Sequence, residues 1–144
     1  ERPQEILVDV IGLGSGVVDR LAEQNLPVRG VNVAEAPSTK KNYLNLRAEL
    51  WFAIKDWLAQ RDCRLPNNDE LASELAAPQY KYTSSGKIKI ESKDEMRKRG
   101  IKSPDKADAL ALTMASSAAS FGGSQAFMGY NFKKPLKSRI FRVG

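Results

Sequence analysis

Apolar and polar positions along the chain divide it into an α/β succession of elements. Residues 6–11 are an apolar run broken only by Asp9, the pattern of a strand buried on both faces. Gly12, Gly14 and Gly16 then let the backbone turn, and a helix is expected over about 17–24. A second short strand follows at 27–33. Strand, helix and strand within about thirty residues make a βαβ unit, which implies a parallel sheet. After a loop holding Pro37 and Ser38, a long amphipathic helix is predicted over 41–61. Its buried stripe is Tyr43, Leu50, Trp51, Ile54, Trp57 and Leu58, spaced helically.

The second half has sharper punctuation. Asn and acids at 67–70 open a short helix that stops near Pro78. Two alternating segments, 79–83 and 87–91, flank Ser84-Ser85-Gly86 and predict a β-hairpin. Ile88 and Ile90 take one face, while Lys87, Lys89 and Glu91 take the other. Ser92 and Glu95 make a capping box for a helix that ends at Gly100. The last helix starts with Ser103 as cap and Pro104 in the first helical position. Ala109, Ala111 and Ala115 would let it approach the sheet closely. Residues 121–144 are Gly-, aromatic- and Lys/Arg-rich without periodicity. The expected organisation is one domain, 1–120, and a flexible basic tail, 121–144.

Several residues carry candidate chemistry. Asp9 inside an apolar strand is either a satisfied structural acid or a metal ligand at a strand's carboxyl end. The glycines after it fit a dinucleotide fingerprint only in part, because Val17 stands where a third spaced Gly belongs. Arg47 falls on the apolar stripe of its helix. It is either a snorkelling side chain or the partner of a buried carboxylate or phosphate. Asp105 sits in a first helical turn, where the dipole favours an acid anyway. Asp108 lies one turn on, on the same face, where it could lean over the Asp9 strand. There is no His, so any metal must be held by carboxylates, which favours Mg²⁺ or Mn²⁺. Cys63 is the single cysteine and excludes an internal disulfide. No apolar run reaches the length of a membrane span, and no signal peptide is visible. The net charge is +6, and residues 109–144 hold five basic residues and no acid, a pattern that fits an anionic partner or plain solvated charge.

Four segments together carry a resemblance. They are Val8-Asp-Val-Ile-Gly-Leu-Gly-Ser-Gly-Val-Val-Asp-Arg-Leu21, Asn45-Leu-Arg-Ala-Glu49, Ile90-Glu-Ser-Lys-Asp-Glu95 and Ser103-Pro-Asp-Lys-Ala-Asp-Ala-Leu110. In order and spacing they resemble the nuclease domain of tailed-phage large terminases, over about residues 6–113. The resemblance implies an RNase H-like α/β fold with an added β-hairpin. It also implies a two-metal endonuclease that uses Mg²⁺ or Mn²⁺ to cut concatemeric double-stranded DNA during packaging. Asp9 and Asp108 match catalytic, metal-binding acids of that family, with Asp105 close by as a further ligand. The family's first catalytic acid lies on an earlier strand that would precede Glu1, and no ATPase phosphate-binding motif is present. The chain is therefore expected to be a piece lacking the first strands, with only part of the metal site. Portal protein, small terminase subunit and the host cytoplasm follow as the implied partners and location. Flanking cations are needed to hold DNA phosphates against an acid cluster, and Lys87, Lys89, Lys93, Arg97 and Lys102 are the candidates. The rival functions are a non-catalytic DNA- or portal-binding module, or another RNase H-like nuclease such as a resolvase.

Overall fold

The structure, a computed structural model, describes residues 3–38 and 42–119. Chain order is β1 (Ile6–Asp9), α1 (Gly14–Glu23), β2 (Val28–Val31), α2 (Leu46–Ala59), α3 (Asp69–Ala76), β3 (Tyr80–Tyr82), β4 (Ile88–Ile90), α4 (Lys93–Lys98) and α5 (Asp105–Ala119). β1 and β2 pair in parallel, Ile6 opposite Val28 and Asp9 opposite Val31, with α1 as the crossover. That is the βαβ unit of the hydrophobic pattern. β1 is shorter than the apolar run and half-buried along its length, not buried on both faces. Among the described residues β2 is its only strand partner.

β3 and β4 form the antiparallel hairpin, Tyr80 opposite Ile90 and Tyr82 opposite Ile88. The long helix begins later than its pattern suggests. Its cap is Asn45, whose side chain accepts the Ala48 N–H at 3.1 Å. Tyr43 is instead drawn into a parallel bridge with Ile88, which holds 42–44 extended against the hairpin. A long-range backbone pairing thus overrides a local helical period.

The core lies between α2 and α5. Leu50, Trp51 and Ile54 of α2 meet Ala107, Ala111, Met114 and Ala115 of α5, all buried. The small residues recur every four positions, so one face of α5 is flat enough for close approach. Ala107 belongs to that stripe; Ala109, expected there, is exposed. α5 also packs on α3 and on β1. α4 is tied down by Met96, which is fully buried. Burying such a side chain is worth about 1.5–3 kcal/mol, enough to anchor a six-residue helix. No helix of the described residues is long and apolar enough to cross a membrane.

Candidate functional site

The first turn of α5 places Asp108. Pro104 is buried and its carbonyl accepts the Asp108 N–H at 2.7 Å, which closes the turn. One Asp108 oxygen, Oδ1, accepts Trp51 Nε1–H at 3.0 Å and Arg47 Nη2–H at 3.2 Å. The other, Oδ2, lies 3.2 Å from the Lys93 ammonium, which also stands 3.6 Å from Asp105 Oδ1. Arg47 is fixed in turn: Nη1 donates to the Glu91 carbonyl at 2.6 Å, and its guanidinium lies 5.8 Å from the Trp51 ring centroid. Of the two readings of Arg47, the structure has the paired one. Two helices, α2 and α4, therefore converge on a single carboxylate of α5.

Asp9 ends β1 and is organised locally. Its Oδ1 accepts the N–H of Ile11 at 3.0 Å, a turn closed by the acid's own side chain. Gly12 adopts φ of 74°, a left-handed conformation that glycine takes without strain. At Gly14 a Cβ would meet the Asp9 carbonyl oxygen at 1.7 Å, so no larger residue fits where α1 starts. The loop leaves Leu13 92% exposed.

The donors in and around this region are carboxylate oxygens, which suit Mg²⁺ or Mn²⁺. The Lys93 ammonium already stands between Asp105 and Asp108, as a cation would. The chemistry of the donor set thus fits a hard divalent ion. Among the described residues no three acidic or Cys side chains are grouped closely enough to enclose one.

Below this site a second acid pair locks the hairpin to α4. Glu91 is buried and receives Arg99 Nε at 2.8 Å and Nη2 at 2.8 Å, with the Gln79 N–H at 3.1 Å. The Arg99 hydrogen bonds hold its carboxyl below the usual range. Glu95 takes Lys81 at 2.8 Å and the Ser92 N–H at 2.8 Å, and those bonds pull its pKa down to about 2.

No protein-family model and no curated protein sequence matches the chain. Solved structures do. The nuclease domain of the large terminase subunit gp2 of bacterial virus Sf6 superposes with a TM-score of 0.65 at 23% identity, covering 78% of this chain and 65% of that one. A lysine-to-alanine variant of that domain with manganese and β-thujaplicinol gives 0.66 at 22% identity, covering 78% and 65%. The same kind of variant with calcium gives 0.65 at 22%, again covering 78% and 65%. The chain has the fold of a terminase nuclease domain. It spans just under two thirds of the length of those domains.

Within the terminase nuclease fold, the expected site residues fare differently. Asp105 and Asp108 are brought together through Lys93. Asp9 sits on β1, against which α5 packs. The expected basic face is largely neutralised from within: Lys89 faces Glu95 at 3.6 Å, Arg97 faces Asp94 at 2.9 Å, and Lys93 faces the two aspartates. Lys87 and Lys102 make no ion pair among the described residues. Sequence reasoning missed Trp51 as an Asp108 partner, because its helical spacing marks it only as core. The expected tail, 121–144, lies outside the described residues.

Proposed function

We propose that this chain is a metal-dependent endonuclease domain of a phage large terminase, cutting concatemeric double-stranded DNA during genome packaging. What carries the reading is Asp108, held by Arg47, Trp51 and Lys93 at the start of a helix packed on the Asp9 strand. The terminase nuclease fold supports it. Asp105 and Asp108 would hold Mg²⁺ or Mn²⁺, and Asp9, on the strand that α5 packs against, would have to close in to share the ion. An ion held there would supply the chemistry of an activated water and of a stabilised leaving oxygen in phosphodiester hydrolysis. The remaining work falls to the chain's own side chains. Arg47 and Trp51 orient Asp108, and Lys93 keeps the like charges of Asp105 and Asp108 together. Lys87 and Lys102, which make no ion pair among the described residues, would grip the DNA backbone. Portal protein and small terminase subunit are the proposed assembly partners, and the host cytoplasm the place of action.

The test is nicking of supercoiled plasmid together with Mn²⁺ titration by calorimetry. Wild type should bind Mn²⁺ and nick in its presence, EDTA should stop the nicking, and Asp108→Asn should lose both. Mn²⁺ binding that is absent, or unchanged in Asp108→Asn, would overturn the metal site. That result would favour a non-catalytic DNA- or portal-binding module, a reading consistent with both Asp108 oxygens being engaged by side chains.

A further inference from the structure

We infer that Glu74 is a positioning residue for the Asp105–Asp108 turn, a carboxylate on α3 that caps α5 across space and fixes the direction Asp108 faces. Its consequence for catalysis rests on the nuclease reading above; its mechanical part does not.

A helix start leaves backbone N–H groups without partners, and a side chain just before the helix normally accepts one. Pro104, the residue before α5, has no side chain that can accept one, and Ser103 before it is the nearest residue with that chemistry. Its hydroxyl instead donates to Asp105 Oδ1 at 2.6 Å. The acceptor comes from another helix: Glu74 Oε2 takes the Ala107 N–H at 2.9 Å. Ala107 is fully buried, so this N–H has little access to water as a substitute. One turn earlier on α3, Glu70 pairs with Lys106. Two successive positions of α5 are thereby held by two acids on one face of α3.

Successive residues in a helix are rotated by about 100°, so fixing the Ala107 N–H fixes where the next side chain points. That next side chain is Asp108. If α5 turned about its axis, the carboxylate would leave Trp51 Nε1 and Arg47 Nη2, which it now meets at 3.0 and 3.2 Å. The negative charge of Glu74 also suits the positive end of the helix dipole. Among the described residues Glu74 makes no hydrogen bond to the Asp105 or Asp108 side chain, and it acts through the backbone between them.

The indole N–H of Trp51 reports this directly, because its acceptor is Asp108. The experiment uses the full chain without metal, with the Trp51 resonance assigned by Trp51→Phe. Glu74→Ala should move that resonance. Glu74→Gln, which keeps an oxygen at the same reach, should leave it in place. Glu70→Ala, which removes only the neighbouring ion pair, should also leave it in place. Calorimetric Mn²⁺ affinity should then fall by about 10- to 100-fold in Glu74→Ala, the range for losing a residue that orients a ligand, and recover in Glu74→Gln. An unmoved Trp51 resonance in folded Glu74→Ala overturns the inference. Should that variant not fold, Glu74→Asp shortens the reach by one methylene and keeps the charge; an unmoved resonance there overturns it equally. A wild type that binds no Mn²⁺, with the resonance still moving in Glu74→Ala, leaves the cap standing and removes the nuclease reading instead.

Discussion

Asp108 and Asp9 are held by opposite means. Asp108 meets side chains from α2 and α4, and its own side chain keeps 20% of its exposure. Asp9 is held by the N–H two residues on, inside a turn that Gly12 and Gly14 make possible. The first position is a product of packing between distant segments. The second is written into a dozen consecutive residues. Damage to the α2–α5 core should therefore reach Asp108 and leave the Asp9 turn intact.

The strongest test of the contrast separates stability from activity. Asp108→Ala leaves the Arg47 guanidinium and the Trp51 N–H without their acceptor, and about 2–3 kcal/mol of stability should be lost. The figure is set below that of a fully buried pair because part of Asp108 reaches solvent. Asp9→Ala loses one exposed hydrogen bond and should cost less than about 1 kcal/mol. Both should reduce Mn²⁺-dependent nicking by more than the about 100-fold that follows loss of an outer-shell partner. Urea midpoints and plasmid nicking measure the two arms. Equal stability losses would break the comparison, and full nicking by Asp9→Ala would remove Asp9 from the site.

The same contrast explains what the sequence made legible. The βαβ unit, the hairpin, the Ser92–Glu95 capping box and the glycine turn after Asp9 all lie within short windows, where spacing and turn chemistry decide the outcome. Ser92 Oγ accepts the Glu95 N–H and Glu95 Oε2 accepts the Ser92 N–H, just as their three-residue spacing predicts. Asp108 itself was legible as an acid on a small-residue helix, and Arg47 as an odd charge on an apolar stripe. Their meeting was not, since 61 residues separate them. Ser103 had the local signature of a cap, yet its hydroxyl turns to Asp105, and an acceptor for the start of α5 comes from α3. The partners of the expected basic face were hidden for a similar reason: Lys89 and Lys93 count as cations in the sequence, while the fold sets a carboxylate beside each.

Acid offers a gentler way to sharpen the comparison. Glu91 and Glu95 clasp the hairpin to α4, and Arg99 and Lys81 hold their carboxyls below the ordinary value of 4.5. A depressed folded pKa means that the stabilisation is complete above about 4.5 and fades as pH falls, for Glu95 through about 2. Hydrogen exchange at the Ser92 and Gln79 amides, which donate to these carboxylates, should quicken over that window relative to unstructured amides. On the Asp9 side Arg29 pairs with Glu5 at 2.6 Å and Arg20 with Glu23 at 2.8 Å; the latter, the pair on α1, is exposed and worth little, so the amides of α1 should lag behind. Simultaneous loosening of both regions would mean that the clasp is not the acid-sensitive element.

The smallest expected effect concerns DNA. Phosphate contacts release counterions, and each is worth about 0.9 in the slope of log affinity against log salt for duplex DNA. A lysine already facing a carboxylate has less charge to offer than one facing solvent. Of the five candidate cations, Lys87 and Lys102 are free of ion pairs among the described residues, whereas Arg97 and Lys89 are paired with Asp94 and Glu95. Lys87→Ala and Lys102→Ala should each make the salt slope shallower by about 0.9. Arg97→Ala and Lys89→Ala should change it by less, because removing them exposes an acid but frees few counterions. All four should act alike on every DNA sequence, since phosphate contacts carry no base information. Fluorescence anisotropy with a labelled duplex across a salt series gives the slopes. If Lys89 and Arg97 matter as much as Lys87 and Lys102, DNA strips these cations from their carboxylates on binding, and internal pairing is no guide to the DNA path.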